Sequence, residues 1–178
     1  MRKVILYIAM TLDGMIADEH EGLSFLEPYD GLDSVKTSYE QLMGQTDTLL
    51  MGRRTYEVIQ SFGIDWPYPN HQCYVYGKNV QPNPNIKIID SDVSSHVKQM
   101  LKEDGKDIWL VGGGKLVNTL LSNDLIDQMI ITLIPIVLGK GVPLFLPLQD
   151  TKKFELISST TDSGLIMLTV QKHSDSYL

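Results

Sequence analysis

Residues 108–116, Ile-Trp-Leu-Val-Gly-Gly-Gly-Lys-Leu, constrain the fold more than any other stretch of the chain. A short apolar run ends in three glycines, and Leu116, Leu120 and Leu121 follow at helical spacing. The run reads as a buried strand and the spacing as one face of a helix. The order is strand, glycine turn, helix. Glycine has no Cβ, so backbone can approach a ligand closely there. The first N–H groups of a helix lack an intrahelical partner and attract anions. The stretch is a phosphate site in outline. Three successive glycines cost chain entropy that a plain turn avoids, which favours a functional reason for them.

Two common phosphate motifs fail here. The Walker pattern needs Ser or Thr after its lysine, but Leu116 follows Lys115. The Rossmann pattern needs a small residue where Val117 stands, and belongs at the first strand-helix turn. A dinucleotide bound here is bound in another fold.

The rest of the chain sets the context. Strands are expected at 4–9, 47–51, 72–76, 86–89, 128–134, 153–160 and 165–171, the last two joined at Asp162-Ser163-Gly164. Val35, Tyr39, Leu42 and Met43 mark a helix that Asp33 or Ser34 can cap. A short helix is expected over 53–60. Val93, Val97, Met100 and Leu101 mark another, capped by Asp90, Ser91 or Asp92. Residues 18–31 show no periodicity, and long loops of that kind often cover active sites. Phe25, Leu26 and Tyr29 give this one apolar content. Alternating strands and helices followed by strands predict a three-layer α/β/α fold in a single domain, 1–178. Its sheet is mixed and mostly parallel, closed by a C-terminal antiparallel hairpin.

Composition removes several function classes. A net charge of −7 argues against a general nucleic-acid surface, so any phosphate site must be a local basic patch. Cys73 is the only cysteine and lies in an apolar run, which suggests a buried structural thiol in a reducing compartment. The four histidines lack metal spacing, so no metal is expected. The first apolar run is too short to span a membrane and soon meets Asp13-Gly14. A cytoplasmic protein without membrane partners is expected.

In a parallel sheet, ligands bind beyond the carboxyl ends of the strands. The informative exits are 10–14, 52–56, 76–78 and 112–115. At the second, Gly52-Arg53-Arg54-Thr55 puts two guanidinium groups at a helix start. Positive charge there opposes the helix dipole unless an anion is present. The plainer alternative is a solvated basic pair. Lys78 is a third cation. Two anion-binding helix starts with added cations fit NADPH. The glycine element would take the pyrophosphate, and Arg53, Arg54 and Lys78 the 2′-phosphate.

Four stretches occur in one order along nearly the whole chain: Met10-Thr11-Leu12-Asp13-Gly14; Met51-Gly52-Arg53-Arg54-Thr55-Tyr56; Val111-Gly112-Gly113-Gly114-Lys115-Leu116; and residues 135–145, PIVLGKGVPLF. Through them the chain resembles the dihydrofolate reductase-like superfamily, and within it the C-terminal reductase domain of the bifunctional riboflavin-biosynthesis enzyme. The resemblance implies an NADPH-dependent reductase and a homodimer. It implies cofactor contacts from Gly52, Arg53, Arg54, Thr55, Gly112, Gly113, Gly114, Lys115 and Leu116, to which the strand exits add Tyr76, Lys78 and Val111. Substrate and nicotinamide would lie near Ala9, Thr11, Phe25 and Tyr29, under the 18–31 loop. The implied substrate is a small heterocycle, a ribosylaminopyrimidine first and a pterin second. The family's acid near the first helix is matched by Asp33, with Asp30 and Glu27 as alternatives, or Asp33 is simply a cap. The acidic pair of riboflavin-pathway reductases is reduced here to Asp65, before Trp66-Pro67. That departure leaves a non-catalytic nucleotide-binding module as the alternative. Asp13 is expected to tie down its own turn.

Overall fold

The computed structural model describes residues 1–173. Its strands are β1 (Val4–Thr11), β2 (Met15–Ala17), β3 (Thr46–Gly52), β4 (Gln72–Tyr76), β5 (Ile86–Ile89), β6 (Asp107–Gly112), β7 (Gln128–Ile134), β8 (Val142–Pro143), β9 (Phe154–Asp162) and β10 (Leu165–Lys172). Its α-helices are α1 (Asp33–Gln45), α2 (Arg53–Ser61), α3 (Val93–Met100) and α4 (Gly114–Ser122).

Eight strands form one sheet in the order β5-β4-β3-β6-β1-β7-β10-β9. The strands from β5 to β7 are parallel, while β10 runs antiparallel to β7 and β9 antiparallel to β10. Apolar side chains along the central strands go to both faces, which is why those strands read as unbroken apolar runs. Ile5, Leu49, Met51, Val75 and Trp109 face α1 and α2, where Leu42, Tyr56 and Ile59 cover them. Val4, Leu6, Leu50, Ile108 and Leu110 face α3 and α4, covered by Val97, Met100, Leu116, Val117 and Leu120. The result is the three-layer α/β/α fold with a C-terminal hairpin. Leu49 and Leu50 are fully buried, so truncating either to alanine should cost about 2–5 kcal/mol.

Three local expectations change. The 18–31 segment holds a 3-10 helix, Ser24–Tyr29. The glycine- and proline-rich stretch after β7 contributes β8, which pairs antiparallel with β2. Strands this short carry no period to read. Neither Asp33 nor Ser34 caps α1; Leu32 holds that position without a side-chain bond. Instead Asp162, at the β9–β10 tip, lies against Ser34. The Ser34 hydroxyl, foremost, holds the Asp162 carboxyl below its usual range.

Cys73 is buried, and burial pushes its thiol up to about 11. A thiol so raised stays protonated and packs as a small apolar group. No helix among the described residues is long and apolar enough to cross a membrane.

Candidate functional site

Strands β4, β3, β6 and β1 are neighbours and parallel. Their exits therefore line one edge of the sheet in that order. The helices α2 and α4 begin there, at Gly52 and Gly113, and neither start has a side-chain cap. In α4 the Val117 N–H reaches the Gly113 carbonyl at 3.0 Å. The N–H groups of Gly114, Lys115 and Leu116 precede that bond and have no partner within the helix.

The two starts touch. A Cβ added to Gly113 would lie 3.4 Å from Thr55 Oγ1 and 3.7 Å from the Gly52 Cα. Gly113 also has φ 102°, a conformation that favours glycine. Gly114 differs, because a Cβ there would lie 2.6 Å from the Pro143 carbonyl oxygen of β8. The third glycine thus has a packing reason inside the protein, which the entropy argument from sequence overlooks.

The other expected cofactor residues divide into two groups. Leu116 is in the core, and Tyr76 is buried with its hydroxyl 2.9 Å from His96 Nδ1 of α3. Those two offer the exit backbone only, and burial raises the Tyr76 hydroxyl's pKa. Val111 is half-buried on the α1–α2 face. Lys78, Lys115 and Arg54 are exposed, and Arg53 is partly so. Arg53 Nη1 donates to the Lys78 carbonyl at 3.5 Å, and its Nε lies 3.6 Å from Glu57. Arg54 Nε lies 3.4 Å from Glu21, and its Nη1 3.7 Å from Glu57. Long, exposed pairs of this kind contribute little, so both guanidinium groups remain open to a stronger anion.

On the substrate side, Thr11 is fully buried. Its hydroxyl donates to Asp13 and accepts from the Met15 N–H, so it is already engaged within the turn. Asp13 also reaches across to the N–H groups of Leu138 (3.2 Å) and Gly139 (2.8 Å). The Thr11 hydroxyl, then the Gly139 N–H, hold its carboxyl below the usual range. Asp13 ties its own turn through Thr11, as expected, and also ties the β1 exit to the loop after β7. Ala9, Phe25 and Tyr29 are half-buried. Tyr7, Tyr39 and Trp109 meet with ring centroids 5.8–6.5 Å apart, packing α1 onto the sheet just after the 18–31 segment. Asp33, the first residue of α1, is exposed, and so is Asp65, in the loop after α2.

The comparisons agree with this geometry. The sequence profile of the RibD C-terminal domain matches residues 2–168. The chain belongs to the RibD C-terminal domain family. The uncharacterized protein YwjB of Bacillus subtilis (strain 168) is 36% identical over 157 residues, spanning 87% of this chain and 89% of that one. A crystal structure of a Shewanella sp. PV-4 protein, assigned by its name to riboflavin biosynthesis, is 30% identical. It matches over 97% of this chain and 99% of that one, with a TM-score of 0.87. Dihydrofolate reductase from Enterococcus faecalis, complexed with NADP(H), has a TM-score of 0.70 over 97% of both chains at 16% identity, a likeness of fold. The family and the dihydrofolate reductase-like fold read from the four ordered motifs are those of this chain.

In this RibD C-terminal domain, two residues near the exits make contacts that the sequence reading did not assign to them. Glu21 is one. The Asp18 carboxylate accepts from the His20 and Gly22 N–H groups and shapes a turn that carries Glu21, at φ 65°, to Arg54. Pro143 is the other, since its approach to Gly114 depends on the β2–β8 pairing. Asp18-x-x-x-Gly22 hints at a tight turn but not at what that turn faces.

Proposed function

We propose that this chain is an NADPH-dependent reductase of a small heterocycle. A ribosylaminopyrimidine, such as 5-amino-6-(5-phosphoribosylamino)uracil, is the first substrate class and a pterin the second. One observation carries the reading: two uncapped helix starts touch at Gly52 and Gly113, beside Arg53, Arg54, Lys78 and Lys115. That donor set fits a dinucleotide carrying an extra phosphate.

The bound nicotinamide would supply the hydride. The N–H groups of residues 114–116 and the Thr55 hydroxyl would hold the pyrophosphate, with Gly112 and Val111 beside it. Arg53, Arg54 and Lys78 would select the 2′-phosphate, with Tyr76 contributing backbone. Ala9, Thr11, Phe25 and Tyr29 would border the heterocycle and exclude water. Asp33 or Asp65 would donate the proton. A cytoplasmic homodimer belongs to the same reading.

Fluorescence titration with NADPH and NADH tests it. Saturable binding with preference for NADPH is expected, and no saturation with either would sink the proposal. The exposure of Asp33 and Asp65 favours a second reading, a non-catalytic nucleotide-binding module on the same fold. Single-turnover oxidation of bound NADPH by pyrimidine and pterin substrates separates the two. Turnover that disappears in Asp33→Asn or Asp65→Asn excludes the module.

A further inference from the structure

One tyrosine divides the space between α1 and the sheet. Along β1, Ile5 and Tyr7 pack on the α1 side, whereas Leu6, Ile8 and Met10 pack on the α4 side. Alternation therefore puts Ala9 and Thr11 on the α1 side, beyond Tyr7. The parallel register sets Ile130 beside Tyr7 and Thr132 beside Ala9 on that same face. Behind Tyr7 the packing is apolar. Its ring meets Tyr39 at 6.5 Å and Trp109 edge-on at 6.3 Å, and Ile5 and Leu42 of the same cluster are buried. The Trp109 indole N–H also donates to the Tyr7 carbonyl at 3.4 Å and so holds its backbone. Tyr7 itself is half-buried. Its hydroxyl donates to the Val35 carbonyl in the first turn of α1 at 3.5 Å, the outer limit of a hydrogen bond, and bonds the Ser38 side chain. Burial raises the pKa of this hydroxyl, so it stays neutral and keeps both a proton and a lone pair. The acids of α1, Asp33 and Glu40, are exposed, and among the described residues no carboxylate bonds the Tyr7 hydroxyl.

We propose that Tyr7, with Ser38, reads the edge of the heterocycle and selects a uracil-type ring over a pterin. The inference rests on the reductase reading and narrows its substrate class. A uracil edge alternates carbonyl, N–H and carbonyl. Two neutral hydroxyls can donate to a carbonyl and accept from the N–H beside it. A pterin edge sets an amino group next to a ring N–H, two donors side by side. That edge calls for a group that only accepts, as an ionised carboxylate does. Tyr7 and Ser38 offer the mixed set instead. The long contact to Val35 gives up little when the Tyr7 proton turns to a better acceptor. The rings of Tyr39 and Trp109 behind Tyr7 fix where its hydroxyl stands, so little ordering remains to be done on binding. Ala9, the smallest side chain on this face of β1, leaves room for the ring in front of it.

Isothermal titration of the full chain with 5,6-diaminouracil and with 6-methylpterin is the test, run without cofactor and again with NADP+ present. The wild type should bind 5,6-diaminouracil more tightly than 6-methylpterin. Tyr7→Phe should weaken 5,6-diaminouracil about 5- to 10-fold and Ser38→Ala about 2- to 5-fold, as expected for the loss of one neutral hydrogen bond, with 6-methylpterin hardly changed. The ratio of the two affinities is the deciding quantity, because a merely structural role for Tyr7 would weaken both probes alike and lower the melting temperature. Tighter binding of 6-methylpterin, equal losses for both probes, or no binding of 5,6-diaminouracil overturns the proposal. Should Tyr7→Phe fail to fold, Ser38→Ala decides by the same ratio. The reductase reading fails on a different result, the absence of NADPH binding by the wild type, and that result leaves the uracil titrations standing.

Discussion

The helices α3 and α4 lie on the same face of the sheet, and their first turns are opposites. At the start of α3, Asp92 accepts from the Ser94 and Ser95 N–H groups at 3.2 and 3.3 Å. At the start of α4, Gly113 offers no side chain, and α2 begins the same way at Gly52. A helix start satisfied by its own chain is finished as structure. A start left open beside another, with cations nearby, can still accept an anion. The difference follows position in the sheet. The helix α3 follows the edge strand β5, whereas α2 and α4 follow the adjacent strands β3 and β6.

Four changes test that contrast. Gly114→Ala should have the largest effect, because its Cβ meets a backbone carbonyl that cannot swing aside. We expect a loss of about 1–3 kcal/mol in urea unfolding, with weaker NADPH binding. Unaltered stability would mean that β8 yields easily, and that Gly114 is there for a ligand after all.

Arg53→Gln should weaken NADPH binding about 10- to 100-fold and NADH binding hardly at all, as expected for one charge-assisted contact to phosphate. Isothermal titration with both nucleotides reads the split. Equal losses would move Arg53 from the 2′-phosphate to a general role.

Asp92→Asn keeps a capping oxygen but loses the charge at the helix start, so it should lower the melting temperature by roughly 1–3 °C and leave nucleotide affinity unchanged. The Ser95 hydroxyl, foremost, holds the Asp92 carboxyl below its usual range. Its folded pKa is below its unfolded one, so its contribution is complete above the unfolded value of about 3.9. That contribution is lost as pH falls through the lower folded value. Wild type and variant should therefore converge in melting temperature in strong acid and differ at neutral pH.

Glu21→Gln should have the smallest effect. It removes a carboxylate that shares Arg54, so NADPH affinity should rise about 2- to 3-fold at low salt, with the gain fading as salt is added. A loss of affinity would instead make Glu21 part of the binding surface.

The sequence was most legible where structure is local. Residues 72–76, 86–89 and 128–134 are strands with the bounds their apolar runs predict. The exits line one edge because alternating strands and helices force parallel crossovers. Asp92 caps α3 by a local rule. Leu116 and Tyr76 sit in motifs that suggest ligand contact, yet motif position does not say which way a side chain points. Asp33 fits a cap by residue type, but the chain enters α1 one residue earlier, so Leu32 holds the cap position and Asp33 is the first helical residue.

From the sequence alone came the three-layer fold, the family, and the pairing of a glycine turn with an arginine-bearing helix start. Those rest on periodicity and on residue types a few positions apart. Only the tertiary structure decided that Gly114 makes way for Pro143, that Asp13 bonds Gly139 from 126 residues away, and that Glu21 meets Arg54. Contacts between distant residues depend on the path of the whole chain, and local propensity carries no record of that path.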